Sequence, residues 1–121
     1  MKIDFIADTN FLIYVHEGNP FVEPFIEYDF GVSFITELEL LGFRDLKPTD
    51  ERKIRALLDD CFLIEWSQKL KENTIRLKRK YTIKLPDAII ASTCLTYELP
   101  LVTADKGYAA IEELDLFLIE L

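Results

Sequence analysis

The sequence predicts an α/β fold, a three-layer α/β/α sandwich around a five-stranded parallel sheet. Short apolar segments with strand character alternate with helix-patterned segments along the whole chain. That alternation sets parallel strands side by side and covers both faces of the sheet with helices. No internal repeat, low-complexity tract or Gly/Ser linker interrupts the pattern, so residues 1–121 are read as a single domain.

Each element has a local reason. Residues 3–7 (IDFIA) form a short apolar run that reads as a buried strand. Residues 11–17 are helix-patterned and stop at Gly18, with Pro20 just beyond. A second short helix is expected over 21–28. Residues 31–35 (GVSFI) read as a strand and lead into helical TELELLGF. Pro48-Thr49-Asp50-Glu51 is a helix start with acids in its first turn, continuing through RKIRALLDDC. Residues 62–65 (FLIE) predict a strand, and Ser67 is placed to cap a basic helix over 68–81. Leu85-Pro86-Asp87 opens the next helix with Pro in the first turn. From Ala88 to Tyr97 this helix is small or apolar almost all round, as a buried central helix is. Residues 100–103 (PLVT) form a strand, 105–112 a short helix, and 116–119 the last strand.

Composition narrows the function classes. The chain has 121 residues, half of them apolar, enough for one substantial core. It has no apolar run of about 18 residues to span a membrane. Asp4 and Asp8 interrupt the apolar start in a way that does not suit a secretory signal. Cys61 and Cys94 stand far apart with no C-x-x-C, so two reduced thiols in a cytoplasmic protein are expected. The net charge of −8 argues against a general nucleic-acid coat protein. Yet half of all Lys and Arg lie between 69 and 84, among them Arg79, Lys80 and Lys84. Such a stripe is either a solvated helix face or a local contact for a phosphate backbone.

The acids are the chemical signal. In open α/β sheets ligands bind beyond the carboxyl ends of the strands. Asp8 follows the first strand directly, Asp105 comes two residues after the 100–103 strand, and Asp87 opens the central helix. Glu37 and Glu39 lie just past the second strand; two apart on a helix, they point about 200° apart, so only one can face the crevice. Each acid has a plain structural alternative as a turn, cap or solvated residue. Gathered without Lys or Arg they would repel one another, and a divalent cation removes that penalty. Oxygen ligands suit Mg²⁺ or Mn²⁺, one or two ions, and such ions serve phosphodiester hydrolysis. The single histidine, His16, has no partner for a His-based triad. Tyr14 and Tyr108 read as buried aromatics rather than base-stacking ones.

Asp8-Thr9-Asn10, Ile35-Thr36-Glu37-Leu38-Glu39-Leu40, Pro86-Asp87-Ala88-Ile89-Ile90-Ala91 and Val102-Thr103-Ala104-Asp105 occur in that order over nearly the whole chain. Together they resemble the PIN-domain ribonucleases, closest to the VapC-type toxins of toxin–antitoxin systems. The resemblance implies an acidic quartet of Asp8, Glu39, Asp87 and Asp105 holding Mg²⁺ or Mn²⁺. Glu39 rather than Glu37 takes the family position, three residues after Thr36. Asn10 and Thr103 fall at supporting positions. Apart from the resemblance, Lys84, three residues before Asp87, and Arg79 and Lys80 of the basic stripe are candidate RNA contacts, with a solvated face as the alternative. The resemblance further implies sheet order 3-2-1-4-5, an RNA substrate, a homodimer and a small antitoxin partner. A PIN-fold binding partner that no longer cuts, and a stand-alone RNA-processing nuclease, are the alternative functions. A phosphoacceptor receiver domain does not fit: one acid follows the first strand, and Ser67 follows the third.

Overall fold

A computed structural model describes residues 2–120. The chain runs β1 (Phe5–Ala7), α1 (Thr9–His16), a 3₁₀ segment (Pro20–Phe25), β2 (Phe30–Ser33), α2 (Phe34–Leu41), α3 (Pro48–Asp59) and β3 (Phe62–Ile64). It continues through α4 (Gln68–Lys80), α5 (Leu85–Tyr97), β4 (Leu101–Thr103), a second 3₁₀ segment (Lys106–Ala110) and β5 (Leu116–Leu118). The five strands are all parallel in the order β3-β2-β1-β4-β5, the order the resemblance implies.

Register places the site. Ala7 pairs with Val32 on one side and Val102 on the other. The next residues of β1, β2 and β4, which are Asp8, Ser33 and Thr103, therefore stand level at the carboxyl edge of the sheet. The chain builds outward from β1 to β3, then returns to the far side of β1 as β4. This reversal makes the β1/β4 boundary the topological switch point, where a crevice opens.

Side chains alternate along each strand, so each face of the sheet has its own core. Phe5, Ala7, Phe30, Val32 and Val102 pack with Phe11 and Leu12 of α1 and Ile54 and Leu58 of α3. Phe5 stacks on Phe30 at a centroid distance of 5.3 Å and meets Phe11 edge-on. Ile6, Ile64 and Leu101 face the other way, onto Leu77 of α4 and Ile90, Ala91 and Cys94 of α5. The low amphipathicity of α5 reflects its central position, with a continuous buried run from Ile90 to Cys94.

Differences from the expected boundaries are local. Residues 34 and 35 belong to α2 rather than to β2, because the Ser33 hydroxyl accepts from Ile35 N and starts the helix there. Asp4 lies outside β1, yet its N–H donates to Asp29 O at 2.7 Å and prolongs the link to the β2 side. The segments expected as short helices over 21–28 and 105–112 are shorter 3₁₀ turns, the first with Pro24 inside it. Gly18 takes the left-handed φ of 72° that closes α1, and Ser67 caps α4 through Leu70 N. Both cysteines are free, and among the described residues no helix is long and apolar enough to cross a membrane.

Candidate metal centre

Asp8 answers two demands at once. As the first residue after β1 it has extended backbone, and its Oδ1 accepts from Phe11 N at 2.9 Å, capping α1. Its Oδ2 accepts from the Thr103 hydroxyl at 2.5 Å, across the switch point. Thr103 Oγ1 in turn accepts from Asp105 N at 3.0 Å, so one hydroxyl links the two aspartates. Asp8 is only 3% exposed. Burial pushes its carboxyl above the usual aspartate value; the hydrogen bonds from Thr103 and Phe11 oppose this, while the charges of Asp105 and Asp87 add to it.

Asp87 sits in the first turn of α5, where the helix dipole favours an anion. Its Oδ1 accepts from the Tyr108 hydroxyl at 3.2 Å. Tyr108 is buried, and burial together with the charges of Asp87, Asp8 and Asp105 drives its phenol far above the ordinary value. It stays a neutral donor at any ordinary pH. Asp105 is exposed and caps the second 3₁₀ segment, accepting from Gly107 N at 2.8 Å. A Cβ at Gly107 would stand 3.0 Å from Asp105 Oδ1, so a larger residue there presses on the carboxylate.

Glu39, exposed on α2, joins this edge through a hydroxyl: its Oε1 accepts from Thr9 Oγ1 at 2.7 Å, and Thr9 lies 3.1 Å from the Thr36 hydroxyl. Glu37 instead lines a separate cavity of about 230 Å³ with Leu41, Arg55, Leu58 and Asp59. The two glutamates therefore serve different helix faces, as their spacing requires.

A cavity of about 290 Å³ opens between the α4–α5 link and the segment after β4, lined by Thr82, Ile83, Lys84, Asp87, Asp105, Gly107 and Tyr108. A larger one, about 550 Å³, lies at the amino edge of the sheet among Phe25, Tyr28 and Phe117 and holds none of the four acids. Chemistry, not size, identifies the smaller as the candidate site.

The structure brings Asp8, Asp87, Asp105 and Thr103 together at one edge, with Glu39 tied in through Thr9. Asn10 is exposed and, among the described residues, makes no side-chain hydrogen bond to the acids; Thr9, its neighbour, does. Lys84 is on the cavity wall. Arg79 and Lys80 are exposed in the last turn of α4, with Lys80 3.6 Å from Glu113. His16 lies 3.5 Å from Asp50, away from these acids. Sequence reasoning missed Thr9 and Tyr108 as partners of the acids, and Thr36 as the hydroxyl behind Thr9. Thr9 and Thr36 lie inside the motifs, but hydroxyls of that kind occur throughout strands and turns.

Among the described residues no three acidic, His or Cys side chains close around a single point. A Mg²⁺ or Mn²⁺ site does not ask for such a cage, since Mg²⁺ binds through one or two carboxylates and keeps several waters. The donors here are hard oxygens that repel one another, and among the described residues no ion pair neutralises any of the four acids. This donor set fits a hard divalent cation.

Comparison with known proteins agrees with the fold. The PIN-domain family model matches residues 5–114, and the chain belongs to this family. No curated protein matches it. A toxin–antitoxin complex from Klebsiella pneumoniae contains a chain 29% identical, with a TM-score of 0.81 over 94% of this chain and 96% of that one. DNA-bound VapBC from Salmonella typhimurium is 20% identical, with a TM-score of 0.81 over 96% and 98%. VapBC-1 from nontypeable Haemophilus influenzae is 21% identical, with a TM-score of 0.80 over 96% and 98%. The last two bear on the fold alone.

Proposed function

We propose that this chain is a Mg²⁺- or Mn²⁺-dependent endoribonuclease and the toxin of a toxin–antitoxin pair. The observation that carries the reading is the Asp8–Thr103–Asp105 chain of hydrogen bonds at the β1/β4 switch point, with Asp87 close enough for its charge to act on Asp8. Asp8, Asp87, Asp105 and Glu39 would hold one or two ions. When bound, Mg²⁺ or Mn²⁺ would polarise a phosphodiester and lower the pKa of water so that it could supply the attacking hydroxide.

The remaining work belongs to the chain. Asp8 is fixed by a donor on each oxygen, and each oxygen keeps a second lone pair for a ligand. Thr103 holds Asp8 and the backbone of Asp105 at constant separation. Thr9 steers Glu39 toward the same edge, and Asn10 reaches a bound water or the RNA from its exposed position. Lys84 offers its ammonium to a substrate phosphate at the rim, with Arg79 and Lys80 extending the basic stripe along α4.

A small antitoxin and a second copy of the chain complete the proposal. The likeness to the Klebsiella pneumoniae toxin–antitoxin complex supports the antitoxin; the homodimer rests on the family resemblance. Incubation of the purified protein with RNA tests the activity: cleavage requires Mg²⁺ or Mn²⁺ and disappears in Asp8→Asn and Asp87→Asn. Cleavage unaffected by chelation or by those substitutions contradicts the reading.

A further inference from the structure

We propose that Tyr108 is a positioning residue for the divalent cation, acting through Asp87; this rests on the metal reading above. Tyr108 is buried as part of the core on the α4/α5 face of the sheet, the core that includes Ile6, Ala91 and Leu101, so packing decides where its hydroxyl emerges. That hydroxyl donates to Asp87 Oδ1 at 3.2 Å and closes the floor of the cavity that Asp87 and Asp105 line. No other side-chain donor reaches Asp87 among the described residues. A core tyrosine that needed only satisfaction could use a backbone carbonyl; this one uses a carboxylate of the candidate site.

The physical consequence concerns orientation. An aspartate at the start of a helix turns about two side-chain bonds, and Mg²⁺ tolerates little departure from octahedral geometry. A donor anchored in the core fixes Oδ1 and leaves Oδ2 without a protein donor among the described residues. Outer partners that orient ligands in this way change metal affinity by about 10- to 100-fold when removed.

Calorimetric titration of Mn²⁺ into the full chain tests the assignment. Tyr108→Phe, which keeps the ring, is expected to weaken Mn²⁺ binding by about tenfold. Its cleavage rate falls at limiting Mn²⁺ and recovers at saturating Mn²⁺, with KM for RNA unchanged. Equal Mn²⁺ affinity in wild type and Tyr108→Phe overturns the role of Tyr108 alone, whereas a wild type that binds no Mn²⁺ overturns the metal reading beneath it. A second measurement needs no variant. In protein labelled with 3-fluorotyrosine, Mg²⁺ shifts the ¹⁹F resonance of the buried Tyr108 at the concentration that fills the site. A Tyr108 resonance that stays still while Mg²⁺ binds overturns the proposal.

Discussion

The Thr103 hydroxyl, at the end of β4, donates to Asp8 Oδ2 at 2.5 Å, joining residues 95 positions apart in the chain. It is also the acceptor for Asp105 N. Thr103→Val keeps the shape and leaves a carboxylate oxygen and an N–H unpaired in a largely buried place. Loss of about 1–3 kcal/mol of stability is expected. Thr103→Ser retains the hydroxyl and loses much less, and chemical denaturation of both variants tests the difference. RNA cleavage should follow the same order, with Val the more damaging.

Asp8 makes the metal-free protein pH-sensitive in a definite direction. Burial raises its folded-state pKa above the ordinary 3.8, so its contribution to stability is complete below that value and is lost as pH rises through the folded pKa. Asp8→Asn has no such loss, because an amide can accept from Phe11 N and donate to Thr103. Without metal and near neutral pH, this variant should unfold a few degrees above wild type, the size of about 1 kcal/mol in a domain of this length. The gap closes toward pH 3, and added Mg²⁺ raises the wild type selectively. Thermal unfolding with and without chelator across pH 3–8 is the measurement; a gap that widens on acidification contradicts the sign.

Three acids of the candidate site were legible because each stands at or just past the end of an element. Asp8 after FIA, Asp105 two residues after LVT and Asp87 after Leu85-Pro86 are fixed to element ends by the chain itself. The central strands were readable because β1, β2 and β4 are buried along their whole length, whereas the edge strands β3 and β5 are partly exposed. Long-range hydroxyl contacts were not legible. Thr103 to Asp8, Thr9 to Glu39 and Tyr108 to Asp87 depend on register between elements distant in sequence. Tyr108 illustrates the limit: the expectation of a buried aromatic holds for its ring, while its hydroxyl reaches an acid. Asn10 is exposed on α1 and, among the described residues, makes no side-chain hydrogen bond to the acids, so no contact read from the motif places it.

Glu39 and Glu37 should separate cleanly in mutagenesis. Glu39→Gln is expected to lower cleavage strongly, on the order of 10- to 100-fold, as for a ligand or its close support. Thr9→Val should reproduce part of that loss by freeing Glu39. Glu37→Gln, facing Arg55 and Asp59 in a different cavity, should leave cleavage within about twofold of wild type. Single-turnover assays at saturating metal distinguish the three.

The wall of the candidate cavity has its own latch. Tyr81 OH donates to Glu113 and accepts from Glu112 N at 3.1 Å, bridging the start of the α4–α5 link to the stretch after the second 3₁₀ segment. Tyr81→Phe should speed amide exchange at residues 81–84 and 107–112 and raise KM for RNA, leaving Mn²⁺ affinity unchanged. Hydrogen-exchange mass spectrometry reads the first effect. Unaltered exchange in both segments contradicts the latch.

The most direct test of the central claim is a crystal structure or an electron paramagnetic resonance titration of the full chain with Mn²⁺. An ion coordinated by Asp8 or Asp87 together with Asp105 is expected, its binding abolished in Asp87→Asn and RNA cleavage lost in parallel. Mn²⁺ that binds elsewhere, or cleavage that persists in Asp87→Asn with binding gone, would contradict that claim.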